Sequence, residues 1–189
     1  MGLGDVAAAA AAGVKPEAPR VRLRPTMQSD LKFVLSLERD PQNLPYITPW
    51  ERTQHEAAIR FPDFRHFLIE GGPGLDASGF LILIGCRSPH HSLELKRMVI
   101  QHKGRGLGRA ALRVLKKIAF DDLAAHRLWL EVKMSNRRAQ VFYESEGFVL
   151  EGALREAIRQ AEGYESLLLL SMLAAEFQLR RQQSLELLS

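Results

Sequence analysis

Leu93-Glu94-Leu95-Lys96-Arg97-Met98-Val99-Ile100 is an apolar-rich run that leads into a basic glycine loop, Lys103-Gly104-Arg105-Gly106-Leu107-Gly108, and then into a helical pattern. A second strand pattern follows, Arg127-Leu128-Trp129-Leu130-Glu131-Val132-Lys133. The stretch closes with Asn136-Arg137-Arg138-Ala139 and Phe142-Tyr143-Glu144-Ser145-Glu146-Gly147-Phe148. Strand, glycine turn, helix, strand and helix therefore follow one another without a long gap, an α/β order suited to holding a cofactor.

The glycine loop states its own chemistry. Glycines at 104, 106 and 108 let the backbone turn successive N–H groups into one concave surface. The helix that starts there adds about half a positive charge at its N-terminus. Lys103, Arg105 and Arg109 add full ones, so the sum is a site for a pyrophosphate. Spacing separates the candidate motifs. A Walker A loop needs lysine and Ser/Thr after its last glycine, where this chain has Arg109-Ala110. A Rossmann loop needs its third glycine one residue later, and an acidic residue about 20 positions on, where the pattern here is still helical. The plainer alternative is a glycine-rich turn with no ligand.

Working outward, 189 residues favour one domain with a core of its own, and 46% hydrophobic with 25% charged residues is ordinary for a globular chain. A net charge of +4, from 26 basic and 22 acidic side chains, does not point to nucleic acid; the basic residues gather at the loop without interleaved aromatics. Cys86 stands alone in an apolar pattern and is expected to pack in the core, as suits a reducing compartment. No apolar run approaches the roughly 20 residues of a membrane span, so no membrane partner is expected. Ala7–Ala12 lacks the basic start of a signal segment, and Val6 stands where a myristoylation motif needs Ser or Thr. A cytoplasmic protein is expected.

Residues 1–19 are alanine-rich and read as a flexible tail. Val21 to Arg24 alternates as a first strand, Ser29 is placed to cap a helix carrying Leu31, Val34, Leu35 and Leu37, and Asp40-Pro41 ends it. The segment from Gln42 to Pro62 is broken by prolines and carries Tyr46 and Trp50, with a short helix expected after Thr53. It either walls a pocket or packs its aromatics on the core. His66 to Glu70 and Phe80 to Ile84 form a hairpin around Gly71–Gly74. His90-His91 falls in the next turn with no further ligand at metal spacing, so no metal is expected. Val149 to Leu154 is a strand, Arg155 to Gly163 a polar connection, Leu167 to Leu173 a last strand, and 175–189 a short helix or tail. The domain thus spans 20–174 as an α/β fold, a mixed sheet with helices on both faces.

Two motifs in this order resemble the GNAT superfamily of N-acetyltransferases. Lys103 to Gly108 is similar to that family's Arg/Gln-x-x-Gly-x-Gly/Ala loop, and Asn136, Ala139 and Tyr143-Glu144-x-x-Gly147-Phe148 to its second cofactor motif. Gly152-x-Leu154-Arg155 and Gly163 before an apolar strand resemble the branch of ribosomal-protein N-terminal and polyamine acetyltransferases. Lys103 departs from the family's Arg or Gln and lacks the planar fork of arginine. The resemblance implies a mostly antiparallel sheet splayed between strands 4 and 5, with acetyl-CoA as co-substrate in the gap. The backbone of Met98, Val99 and Ile100 would pair with the pantetheine, and Lys103, Gly104, Arg105, Gly106, Leu107, Gly108 and Arg109 would hold the pyrophosphate. Asn136, Ala139, Phe142 and Tyr143 would flank the other side.

Acetyl transfer to an amine needs a base, because a lysine-like amine near pKa 10.4 is mostly charged at neutral pH. It also needs a donor for the developing oxyanion and a proton for the leaving thiolate. Tyr143 is the expected acid, by chemistry and by resemblance. Glu131 and Glu94 compete for the base, with Glu131 preferred; ion pairs with Lys133 and Lys96 are the alternative use of these carboxylates. Direct transfer to an amine-bearing small molecule or a peptide N-terminus is implied. The mixed charges of Arg155, Glu156, Arg159, Glu162 and Glu165 favour a peptide N-terminus or neutral amine over spermidine. The rival reading is a catalytically silent CoA-binding sensor, and a homodimer through the apolar last strand completes the expectations.

Overall fold

The computed structural model describes residues 19–186. The expected tail at 1–19 falls almost wholly outside them. The chain runs β1 (Val21–Pro25), α1 (Leu31–Glu38), α2 (Arg52–Arg60), β2 (Phe64–Gly71), β3 (Asp76–Ile84), β4 (Ser92–Ile100), α3 (Leu107–Lys117), β5 (Arg127–Lys133), α4 (Arg137–Ser145), β6 (Val149–Arg159), β7 (Tyr164–Leu173) and α5 (Ala174–Glu186). Seven strands form one sheet in the order β1-β2-β3-β4-β5-β7-β6. Every pairing is antiparallel except β4 with β5. Those two share only three partner positions, Ser92↔Arg127, Leu93↔Leu128 and Glu94↔Trp129, and then part. The sheet is therefore splayed between its fourth and fifth strands, as expected.

The two faces are covered by different helices. On one, Ala111, Leu112 and Leu115 of α3 pack with Leu81, Leu83, Leu93, Leu95, Leu128 and Leu130. On the other, Val34 and Leu37 of α1 pack with Leu68, Phe80, Ile82 and Val99. β3 is buried on both faces, which is why Phe80 to Ile84 is a continuous apolar run rather than an alternating one. A bulge interrupts β4: Ile82 pairs with Arg97 and Leu83 with Leu95, so Lys96 is the extra residue. The bulge inverts the alternation, so Leu93 and Leu95 face α3 while Arg97 and Val99 face α1.

Several expectations change. Ser29 lies in a 3-10 turn, Gln28–Asp30, and it is Asp30 whose carboxylate accepts the Met27 N–H at 2.8 Å. The helix after the glycine loop continues past Lys117 as a π turn, Ile118–Asp122. Arg155 to Gly163 is not a connection: β6 runs to Arg159, and a tight turn joins Gln160 N–H to Gly163 O at 3.0 Å. Its polarity reflects position, since β6 is an edge strand exposed along nearly its whole length and has no core face to set an alternation. The apolar last strand, β7, lies between β5 and β6 and has a strand partner on each side. The C-terminal segment is helix α5, seated by Phe177 stacked on Phe120 at 4.9 Å.

Candidate active site

Where β4 and β5 part, two cavities of about 570 and 780 Å³ meet, sharing Tyr46, Met98, Ile100, Lys103, Asn136, Ala139 and Tyr143. The larger runs from this gap over the glycine loop, and the smaller lies between β4, β5 and the Asn43–Trp50 segment. Beyond Glu94 the edge of β4 that faces β5 has no strand partner, so its amides and carbonyls from Leu95 to Ile100 are open to the gap. Met98, Val99 and Ile100 therefore lie where an extended amide-bearing chain can pair with them.

The glycine loop is built as an anion cradle. Gly104 and Gly106 adopt φ of 83° and 76°, which a side chain at Cβ disfavours. Gly106 caps α3, and the first intrahelical bond runs from Ala110 N–H to Gly106 O at 3.0 Å. The N–H groups of Leu107, Gly108 and Arg109 precede it and are free to point at a ligand. Leu107 sends its side chain into the core, leaving only its amide for the loop. Arg105 is exposed and lines neither cavity. Arg109 borders the larger cavity, but its guanidinium is turned to Glu146 at 2.5 Å and Ser145 at 3.2 Å. Lys103 reaches across the gap to Asn43 Oδ1 at 2.5 Å, and its partial burial holds the ammonium below the usual lysine range. His102 and Arg138 also border this cavity; the sequence reading passed over both, although each stands beside a motif residue.

At the reacting end, Asn136 caps α4 by accepting the Ala139 N–H at 3.1 Å, which fixes the helix that carries Tyr143. Tyr143 lines both cavities and is held edge-on between Phe142 and Phe148, at 5.0 and 5.6 Å. Burial pushes its phenol pKa up, so it keeps its proton at neutral pH and is a donor. Glu131 and Glu94 both line the smaller cavity, yet only one is engaged. Glu94 pairs with Lys96 at 3.0 Å. Lys133 donates to Pro45 O at 2.9 Å and lies 3.7 Å from Glu165, leaving Glu131 with no charged partner among the described residues. Among those residues no group of three or more His, Cys, Asp and Glu side chains converges as metal ligands.

The proline-broken segment walls the smaller cavity, one of its two expected uses; what the sequence did not show is how that wall is held. Thr48, Pro49 and Trp50 line the cavity, anchored from behind by Glu38 and Arg97. Arg97, which simple alternation would place on the face of Leu93 and Leu95, was the available signal.

The comparisons with known proteins agree with this geometry. Residues 20–149 match the model of the acetyltransferase (GNAT) domain. Spermidine N(1)-acetyltransferase of Escherichia coli (strain K12) is 26% identical over 150 residues, covering 74% of this chain and 78% of that protein. The spermidine N(1)-acetyltransferase of Vibrio cholerae is 26% identical over 148 residues, covering 72% and 83%. The solved structure of spermidine N-acetyltransferase from Vibrio cholerae in complex with CoA and spermine superposes with a TM-score of 0.76 at 25% identity, covering 84% of this chain and 98% of that one. With the family model spanning the splayed strands, the glycine loop and α4 together, this chain belongs to the GNAT acetyltransferase family and is an acetyl-CoA-dependent N-acetyltransferase.

Proposed function

We propose that the acceptor is a small cationic amine of the polyamine class, acetylated by direct transfer while both substrates are bound. The observation that carries this reading is the unpaired Glu131. Around the smaller cavity, Arg97 is matched by Glu38, Lys133 by Glu165 and Lys96 by Glu94. Two lining charges lack an ionic partner: Lys103, bonded to Asn43 at the glycine-loop end, and Glu131, the one unpaired carboxylate, which attracts an ammonium and can take its proton. The mixed charges of the β6–β7 region weigh less than the sequence suggested. Ile158, not Arg155 or Arg159, lines the cavity, and Glu165 is occupied by Ser135, Gln160 and Lys133. That the similar proteins are spermidine acetyltransferases supports the same acceptor class.

Acetyl-CoA brings the thioester; this chain's residues do the rest. The backbone of Met98, Val99 and Ile100 aligns the pantetheine arm along β4. The Lys103–Gly108 loop and the start of α3 hold the pyrophosphate. Glu131, directly or through one water, accepts the proton of the incoming ammonium, so that the amine lone pair can attack the carbonyl carbon. Tyr143 donates its proton to the sulfur as the C–S bond breaks, and the extra proton on the newly acylated nitrogen restores the phenol. Main-chain N–H groups of the open β4 edge are the donors for the carbonyl oxygen. Cys86 plays no part, since burial pushes its thiol pKa up and it lines neither cavity. A homodimer belongs to this reading, supported by the exposed Val149, Leu150 and Leu154 of edge strand β6; light scattering tests it.

The test is a mass-spectrometric and kinetic comparison of spermidine, spermine, butylamine and a peptide with a free N-terminus. Spermidine is expected to exceed the peptide in kcat/KM by at least about 100-fold. A peptide acetylated as well as spermidine or better would overturn the acceptor class and leave the acetyltransferase in place.

A further inference from the structure

Glu38 ends α1 fully buried, with two hydrogen-bond donors and the His55 ring against its carboxylate. One oxygen accepts from Arg97 Nη1. The other accepts the Trp50 backbone N–H at 2.7 Å and lies 3.2 Å from His55 Nε2, off the line of an ideal hydrogen bond. Arg97 is itself bridged: Nη2 donates to Thr48 O at 2.8 Å, and the guanidinium sits 5.0 Å from the centroid of the Trp50 ring. One buried ion pair thus grips both sides of Pro49, through the carbonyl before it and the amide after it. Behind Glu38 the support continues, with His55 Nδ1 3.0 Å from His66 Nε2 and His66 Nδ1 2.9 Å from Thr26 Oγ1.

The other end of this grip is the strand that holds the thioester. Arg97 immediately follows the extra residue of the β4 bulge, and only the inverted alternation turns it toward α1 instead of the α3 core. The following residues, Met98 to Ile100, present the open edge to the cofactor. Arg97 therefore belongs covalently to the strand on one side of the reacting centre and is hydrogen-bonded to the cavity wall on the other. A buried ion pair gains little stability over a packed apolar pair of similar volume. Its directional bonds fix a geometry that apolar packing would not.

We infer that Glu38 and Arg97 are positioning residues that set the register between the acceptor wall, Thr48 to Trp50, and the acetyl group on β4. The inference rests on the cavity beside Glu131 being the acceptor site. Acceptor use should then depend on the pair, while cofactor binding, held by the glycine loop and α4, does not.

The experiment takes the full chain with Glu38→Gln, Arg97→Lys, Arg97→Met and the double variant Glu38→Gln/Arg97→Gln, which removes both charges and keeps hydrogen-bonding atoms in place. Acceptor KM and kcat are measured beside the acetyl-CoA dissociation constant. A small misplacement of reacting groups is expected to cost about tenfold or more in kcat/KM for the acceptor, with acetyl-CoA affinity within about twofold of wild type. Arg97→Lys should retain more activity than Arg97→Met. Folded variants with wild-type acceptor kinetics would overturn the inference, as would an equal loss of acetyl-CoA affinity. Hydrogen exchange separates this from the choice of acceptor: the Trp50 amide should lose protection in Glu38→Leu, which removes the carboxylate that accepts it, while the β4 amides bonded to β3 keep theirs. If no amine is acetylated by wild type, the acceptor reading has failed; unchanged Trp50 protection would sink the positioning pair by itself.

Discussion

His66 should make this fold sensitive to acid, and the size of the effect follows from its surroundings. The ring is 5% exposed, and its pKa is lowered from 6.5 to about 3. Burial is the largest cause, and the neighbouring His55 and Arg97 add to it, while Glu38 and Asp30 oppose. A histidine with a lowered native pKa stays neutral when folded, whereas the unfolded chain takes up a proton near pH 6.5. Below that value the unfolded state binds more protons, so stability falls as pH drops through the window from 6.5 toward about 3. Each pH unit inside the window costs about 1.4 kcal/mol, so moving from neutral pH to pH 5 removes about 2 kcal/mol through this residue alone. Urea unfolding at several pH values checks it. His66→Asn can keep the bond to Thr26 Oγ1, where its amide takes the place of Nδ1, and has no ring to titrate. It should be less stable than wild type near pH 7, by about 1–3 kcal/mol for a smaller buried side chain. Its stability should nonetheless fall less between pH 7 and 5, by about 2 kcal/mol. Parallel pH dependences in variant and wild type would refute the argument.

Other substitutions separate the roles at the reacting centre. Tyr143→Phe should lower kcat by about 100-fold, the usual scale of a general acid, with acetyl-CoA binding by calorimetry unchanged; unchanged turnover removes Tyr143 as the acid. Glu131→Gln should lower kcat/KM for the acceptor by about 100-fold, while Glu94→Gln, which frees Lys96, should lower it by less than about threefold. If Glu94→Gln is instead the more damaging change, the assignment of the base is reversed. Glu146 is nearly buried and pairs with Arg109 at 2.5 Å, Arg113 at 3.4 Å and Lys116 at 3.0 Å. Replacing it by Gln leaves buried Lys116 without a countercharge, and thermal or urea unfolding should show a loss of about 3–5 kcal/mol; a loss below about 1 kcal/mol would mean that water compensates at that end of α4.

How much of this was legible in the sequence depends on the range over which each contact is made. The glycine loop needed only local rules: Gly104 and Gly106 sit where the backbone demands positive φ, and the helix start follows from the pattern after Gly108. Asn136 could be placed at the start of its helix for the same reason, because a cap bonds within three residues. β6 was cut short because alternation is a record of one buried face, and an edge strand exposed along nearly all its length keeps no such record. What anchors the Thr48–Trp50 wall was hidden more deeply. Glu38 and Arg97 are 59 residues apart, and no periodicity links them. Counted along an unbroken strand, Arg97 would share a face with Leu93 and Leu95 and would be driven into the α3 core, where a guanidinium has no partner. That conflict is itself information. A strand whose alternation, extended one step, buries a charge among leucines must bulge before that charge, and the bulge leaves Arg97 facing whatever carboxylate the other layer supplies. Here that carboxylate is Glu38, and the same one-residue irregularity that turns Arg97 out of the α3 core ties β4 to the Thr48–Trp50 wall of the smaller cavity.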